Sequence, residues 1–111
     1  MSDRLTPEGQ VKRSVIQILR FRGYFVETNI QQGFGNVRGR PDLEASKRSI
    51  TIRIEVKGPK GKLSEHQEVY KARLEAVGIK VFVPHSAEDF LVEIEAWEEK
   101  MWPGTNQKRL I

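Results

Sequence analysis

Three residues near the middle of the chain combine types and spacing that can do chemistry: Asp42, and then Glu55 and Lys57 within ITIRIEVK. Ile50, Ile52, Ile54 and Val56 alternate with Thr51, Arg53, Glu55 and Lys57, the period-two pattern of a half-buried strand, so Glu55 and Lys57 project from its polar face. Alone, Glu-x-Lys is a common pattern and fits a surface ion pair worth a fraction of a kcal/mol. Asp42 changes its weight. A hairpin between the Pro41–Ala45 segment and the ITIRIEVK strand brings Asp42 close to Glu55. Two converging carboxylates repel unless one takes up a proton or a cation lies between them. Oxygen ligands suit a hard divalent ion, Mg²⁺ or Mn²⁺, and Mg²⁺ keeps part of its water shell. Two carboxylates plus one backbone carbonyl, that of Val56, therefore suffice to hold it. Lys57 is then placed to orient, or help deprotonate, an attacking water. The competing role for Asp42 is a cap on the Gly-rich turn that precedes it.

Helices must supply the rest of such a site. Thr6-Pro7 opens the first helix, Gly23 ends it, and Val11, Val15, Ile18 and Leu19 form its apolar stripe. At about 100° per residue, Glu8 falls on that stripe at the first turn. Ser64 opens a second helix that ends before Gly78. On it Gln67 shares a face with Tyr70, Leu74 and Val77. Each polar residue has a plainer role, Glu8 complementing the helix dipole and Gln67 completing a capping box with Ser64. Ser86 caps a third helix with Phe90, Ile94, Trp97 and Met101 on one side. Strands are expected at Tyr24–Asn29, Pro41–Ala45, Ile50–Lys57 and Ile79–Val83. The order α-β-β-β-α-β-α implies an α/β fold, a mixed sheet flanked by helices.

Basic residues surround the same point. QQGFGNVRGR, at 31–40, carries Arg38 and Arg40 among glycines that let a backbone approach a phosphate closely. Lys60 and Lys62 follow the strand and can neutralise neighbouring phosphates. Phe34 offers a stacking surface for a base, or a contact to a second copy. His66 lies within reach of a phosphate but reads more simply as a helix-surface residue. Residues 1–62 hold 13 Lys+Arg against 6 Asp+Glu, whereas 63–111 hold 6 against 9, so the basic half is the face expected to meet a polyanion, the alternative being a solvated basic surface with no partner.

The whole chain has 111 residues, 38% of them hydrophobic, a net charge of +4 and no Cys. It fits one domain over 1–111, with ends at 1–5 and 103–111 expected to be flexible. No thiol nucleophile, disulfide or thiolate zinc site is possible. No apolar run has the length of a membrane span, and no Walker-type GKS/GKT or helix-opening GxGxxG appears. Neither a membrane nor a nucleotide cofactor is expected, and the location implied is cytoplasmic.

These motifs resemble the virus-type replication-repair nuclease (VRR-NUC) family of the PD-(D/E)XK nuclease superfamily. The resemblance rests on Glu8, Gly39-Arg40-Pro41-Asp42, Glu55-Val56-Lys57-Gly58-Pro59 through Leu63-Ser64-Glu65-His66-Gln67, and Gly78-Ile79-Lys80-Val81-Phe82-Val83. It implies a restriction-endonuclease-like αβββαβ core plus a C-terminal helix. It implies metal held by Asp42, Glu55 and the Val56 carbonyl, with Lys57 positioning water and Gln67 and Glu8 completing the site, Glu8 through water. It also implies a homodimer that cuts branched DNA such as four-way (Holliday) junctions, and the compact form suggests a phage-encoded member. The alternatives are a monomeric flap- or nick-processing nuclease and, in a different class, a non-catalytic nucleic-acid-binding module.

Overall fold

The computed structural model describes residues 6–28 and 39–105. Their elements are α1 (Pro7–Phe21), β1 (Phe25–Thr28), β2 (Leu43–Lys47), β3 (Ile50–Ile54), α2 (Glu65–Ala76), β4 (Val81–Phe82) and α3 (Ala87–Met101), the expected order. The sheet runs β1-β2-β3-β4, antiparallel for the first two pairings and parallel for β3 with β4. A helix is needed to carry the chain back for a parallel strand, and α2 does this.

Local chemistry sets the boundaries. Thr6 Oγ1 accepts from the Gly9 amide at 3.0 Å, with Pro7 at the first helical position, and Gly23 leaves α1 at φ +92°. β2 lies two residues later than expected, because Lys47 still pairs with Ile50 and the hairpin turns on Arg48 and Ser49 alone. Both turn residues take positive φ, 52° and 67°, as a two-residue loop between twisted strands requires. β4 keeps only Val81 and Phe82 of the expected run. The ladder nevertheless continues past β3, with the Glu55 amide donating to Phe82 O at 2.9 Å and the Lys57 amide to Pro84 O at 3.0 Å.

The apolar face of the hairpin meets α1 and α3. Val15, Leu19, Leu43, Ala45, Ile52, Ile54, Val56, Phe90 and Ile94 are fully buried. Three expectations fail at helix ends. Glu8 is exposed, since the α1 stripe has run past the core by its first turn. Met101 is 40% exposed at the end of α3. α2 buries no residue, and Val77, its C-cap, is 74% exposed. That helix sits beside β4 with Gln67, Tyr70 and Leu74 half-buried.

One carboxylate is buried at the far end of the core. Glu98 of α3 accepts from Arg22 Nε at 3.0 Å, from an Arg22 terminal nitrogen and from Tyr24 Oη at 2.7 Å. Lys47 Nζ lies 3.9 Å away and donates to Arg22 O at 2.7 Å. Burial alone would raise the Glu98 carboxyl, but Arg22, Tyr24 and Lys47 outweigh it and hold the group below its ordinary value. The Tyr24 hydroxyl is raised by burial and by Glu98. The cluster ties α1, β1, β2 and α3 together.

Candidate active site

The β2–β3 register pairs Leu43 with Ile54, so Asp42, one residue earlier, falls opposite Glu55, one residue later. Asp42 Oδ2 accepts from the Val56 amide at 3.0 Å. Asp42 is thereby fixed to the strand that carries Glu55 and does not act as a simple cap on the turn before it. The amides of Glu55 and Lys57 face β4. In an extended strand a residue's N–H and C=O point the same way, so the Val56 carbonyl faces the Asp42 side.

Glu55 is 5% exposed. Its Oε2 accepts from Gln67 Nε2 at 2.8 Å and lies 3.6 Å from Lys57 Nζ, while its Oε1 is buried with no hydrogen-bond partner. Burial, then the neighbouring Asp42, pushes the Glu55 carboxyl up to about 7, and Lys57 only partly offsets them. A carboxylate is most stable with its lone pairs occupied. Hard oxygen donors, one of them bare, beside a second carboxylate and a backbone carbonyl fit a divalent cation. Among the described residues no three His, Asp or Glu side chains converge to hold an ion by themselves. The carboxylates brought together are those of Asp42 and Glu55.

Gln67 makes two sets of contacts at once. Its Oε1 accepts from the Ser64 amide at 2.8 Å while Ser64 Oγ accepts from the Gln67 amide at 3.2 Å, a complete capping box. Its Nε2 is left free to reach Glu55. The cap expected from the sequence is present, and the same side chain also contacts Glu55. Gly39, at φ +83°, explains how the first turn of α2 is held in place. A Cβ there would lie 2.2 Å from His66 O and 2.8 Å from the Gln67 amide nitrogen, so only glycine lets this backbone press against α2.

The remaining candidates line the approaches. Glu8 sits where the first turn of α1 packs against Gly58, a Cβ on which would lie 3.4 Å from the Glu8 amide nitrogen. There an open groove of about 670 Å³ is lined by Thr6, Pro7, Glu8, Gly58, Pro59, Lys60 and Gly61. Arg40, Lys60, Lys62 and His66 are exposed. Arg38 and Phe34 lie outside the described residues. Sequence reasoning passed over His85, whose Nε2 lies 2.9 Å from Gly61 O and anchors the turn that carries Lys60 and Lys62. The one signal for it was its place directly after Pro84.

No family model matches the sequence, and no curated protein sequence matches it. A search of solved structures does find likeness. A VRR_NUC domain superposes with a TM-score of 0.68 at 29% identity, covering 80% of this chain and 97% of that one. The fold is therefore that of a VRR-NUC domain, the restriction-endonuclease-like α/β class to which the motifs pointed. The shared class is that of PD-(D/E)XK-type nucleases. Among the described residues no helix is long and apolar enough to cross a membrane.

Proposed function

We propose that this chain is a Mg²⁺- or Mn²⁺-dependent endodeoxyribonuclease selective for branched DNA, acting as a homodimer on four-way junctions. The observation that carries the catalytic part is Glu55, a buried carboxylate with one bare oxygen, set against Asp42 and beside Lys57. Asp42, Glu55 and the Val56 carbonyl would hold the ion, which when bound supplies positive charge to the phosphoryl and leaving oxygens. Lys57, confined 3.6 Å from Glu55, orients the water whose oxygen attacks phosphorus in line as the bond to the leaving sugar oxygen breaks. Gln67 keeps the Glu55 carboxylate turned toward Asp42. Glu8 contributes through water from the adjoining groove. Arg40, Lys60 and Lys62 neutralise the flanking phosphates, with Arg38 in the same role and Phe34 a stacking surface. The dimer rests on symmetry: among the described residues one chain holds one such carboxylate pair, and resolving a junction takes two related cuts.

The test is cleavage of labelled four-way junction, flap, nicked and linear duplex DNA with Mg²⁺, Mn²⁺ or EDTA, by wild type and Lys57→Ala. Paired symmetric nicks in the junction, lost with EDTA and in the variant, are expected. Cutting confined to flaps or nicks by a monomer keeps the enzyme and replaces the resolvase reading. DNA binding with no metal-dependent cutting leaves a binding module. In that case Asp42→Ala binds DNA at least as well as wild type, because the carboxylate only repels phosphate.

A further inference from the structure

A second basic cleft lies beside the open edge of the sheet. It has a volume of about 410 Å³ and is walled by Lys71 of α2, by residues 80–83 along β4, and by Glu93, Trp97 and Lys100 of α3. That volume is within the range of about 300–1,000 Å³ typical of ligand sites. Its charge runs against its surroundings. The described residues 63–105 contain four Lys or Arg and nine Asp or Glu. Three of the four cations, Lys71, Lys80 and Lys100, line this cleft, while only one of the nine acids, Glu93, does. Each of the three lysines comes from a different element, so no helical periodicity put them together. Lys80 Nζ stands 5.1 Å from the Phe82 ring centre. Lys71 pairs with Glu75 at 3.1 Å in an exposed contact that a phosphate can displace at little cost.

The cleft and the candidate active site share two elements, α2 and the β3–β4 pairing. Gln67, which holds Glu55, and Lys71 are one helical turn apart on a single face of α2. β4 is the strand next to the one that carries Glu55 and Lys57, bonded to it at Phe82 and Pro84. Since Phe82 turns its peptide groups to β3, those of Val81 and Val83 point to the outer edge, where no further strand pairs among the described residues. Trp97, in a T-shaped contact with Phe82 at 6.0 Å, adds an aromatic wall. Ammonium groups along a groove with an aromatic wall are the means by which proteins hold an unpaired nucleic-acid strand.

We propose that this cleft binds a single-stranded segment of the DNA substrate that runs on from the scissile phosphate along α2, its phosphates on Lys71, Lys80 and Lys100. The inference rests on the metal-dependent nuclease part of that reading and not on the four-way junction, whose strands are all paired; it adds a preference for substrates that carry an unpaired strand beside the cut. The experiment measures binding of a fluorescent single-stranded oligonucleotide and of a flap substrate across a salt series in EDTA. It uses wild type, the triple variant Lys71→Ala/Lys80→Ala/Lys100→Ala, and Arg73→Ala, which removes the one described cation of this half outside the cleft. Each single-strand phosphate contact contributes about 0.7 to the salt slope, so the triple variant should lose about 2 from it, and Arg73→Ala nothing. In parallel, cutting of a linear duplex with metal should change little in the triple variant, while preference for the flap over the duplex falls. An unchanged slope in the triple variant, or an equal loss per cation in Arg73→Ala, overturns the cleft while metal-dependent cutting still stands. A wild type that neither binds nor cuts DNA overturns the nuclease reading, and the cleft with it.

Discussion

Gln67 permits a separation of stability from activity. Ser64→Ala removes the hydroxyl that accepts from the Gln67 amide at 3.2 Å and leaves both ends of the Gln67 side chain engaged. Loss of an N-cap side chain costs about 1 kcal/mol, which for a domain near this size lowers the melting temperature by about 4 °C. Cutting should stay within twofold of wild type. Gln67→Met keeps the length and shape of the side chain and removes its two polar ends. The Ser64 amide, at an exposed helix end, turns to water, so the stability loss is again about 1 kcal/mol or less. At Glu55 the consequence differs. Oε2 loses its 2.8 Å donor and keeps only Lys57 at 3.6 Å, in a carboxylate whose other oxygen is already bare. A hydrogen bond to a charged group is worth about 1.5–3 kcal/mol, so the cutting rate should fall by about 10- to 150-fold. Single-turnover cleavage of a junction substrate, with thermal melts of the same samples, reads both quantities, and KM should hardly move. Gln67→Met cutting like wild type, or Ser64→Ala losing as much activity as Gln67→Met, refutes the positioning role and leaves Gln67 as a cap alone.

The two buried glutamates should give the metal-free protein opposite pH responses. Glu98 is depressed below 4.5, so its stabilisation is complete above that pH and is lost as the pH falls through its folded value. Glu98→Gln, which removes the buried charge facing Arg22 and leaves the part-exposed Glu95 at 3.6 Å, should cost about 3 kcal/mol at neutral pH in chemical denaturation. Glu55 is raised from 4.5 to about 7, so its own contribution to stability is greatest below pH 4.5 and is lost as the pH rises to 7, by on the order of 3 kcal/mol. Denaturation in EDTA should show this decline, Glu55→Gln should flatten it, and millimolar Mg²⁺ should reverse it; a decline that persists unchanged in Glu55→Gln refutes the assignment. Gly39→Ala and Gly78→Ala share a positive φ of 83° and 88°, but only the first meets backbone atoms. Gly78→Ala should therefore cost about 1–2 kcal/mol with cutting intact, whereas Gly39→Ala should cost more and abolish cutting, as melts and nicking assays of the pair would show.

The site was legible where the chain is locally consistent. The alternation of Ile50–Lys57 set which residues face out, and Ser64-x-x-Gln67 set the start of α2, because both patterns depend on neighbours within one element. The hairpin that joins Asp42 to Glu55 followed from two strand-like runs close together in the chain, although its turn on Arg48 and Ser49 did not. What could not be read depends on where an element stops meeting the core. Glu8, Val77 and Met101 obey their helical periods yet emerge from the protein, because period says nothing about how far a helix outruns its neighbours. Glu98 sits four residues after buried Ile94, a position that suggests the core, but its charge argued for solvent. Only the arrival of Arg22, Tyr24 and Lys47 from distant parts of the chain resolves that conflict. The close approach of Gly39 to His66 is likewise a tertiary fact, with no trace in a loop already rich in glycine.

Glu98 is the comparison that supports the metal-binding role proposed for Glu55. Both carboxylates are nearly or wholly removed from solvent in the same small domain. At Glu98 the fold supplies an arginine, a tyrosine and a lysine, and both oxygens are satisfied. The chain is therefore able to neutralise a buried carboxylate fully when structure alone is at stake. At Glu55 it stops short: one amide donor and a lysine at 3.6 Å serve one oxygen, and a second carboxylate is placed alongside. Leaving a buried acceptor unpaired costs about 1–3 kcal/mol, a large share of the 5–15 kcal/mol that holds a domain together. A surface-packing or purely structural role gives nothing in return for that cost. On the proposed metal-binding role, a cation taken up between Asp42 and Glu55 would remove both the repulsion and the bare acceptor, and that cost would be returned as affinity for the ion.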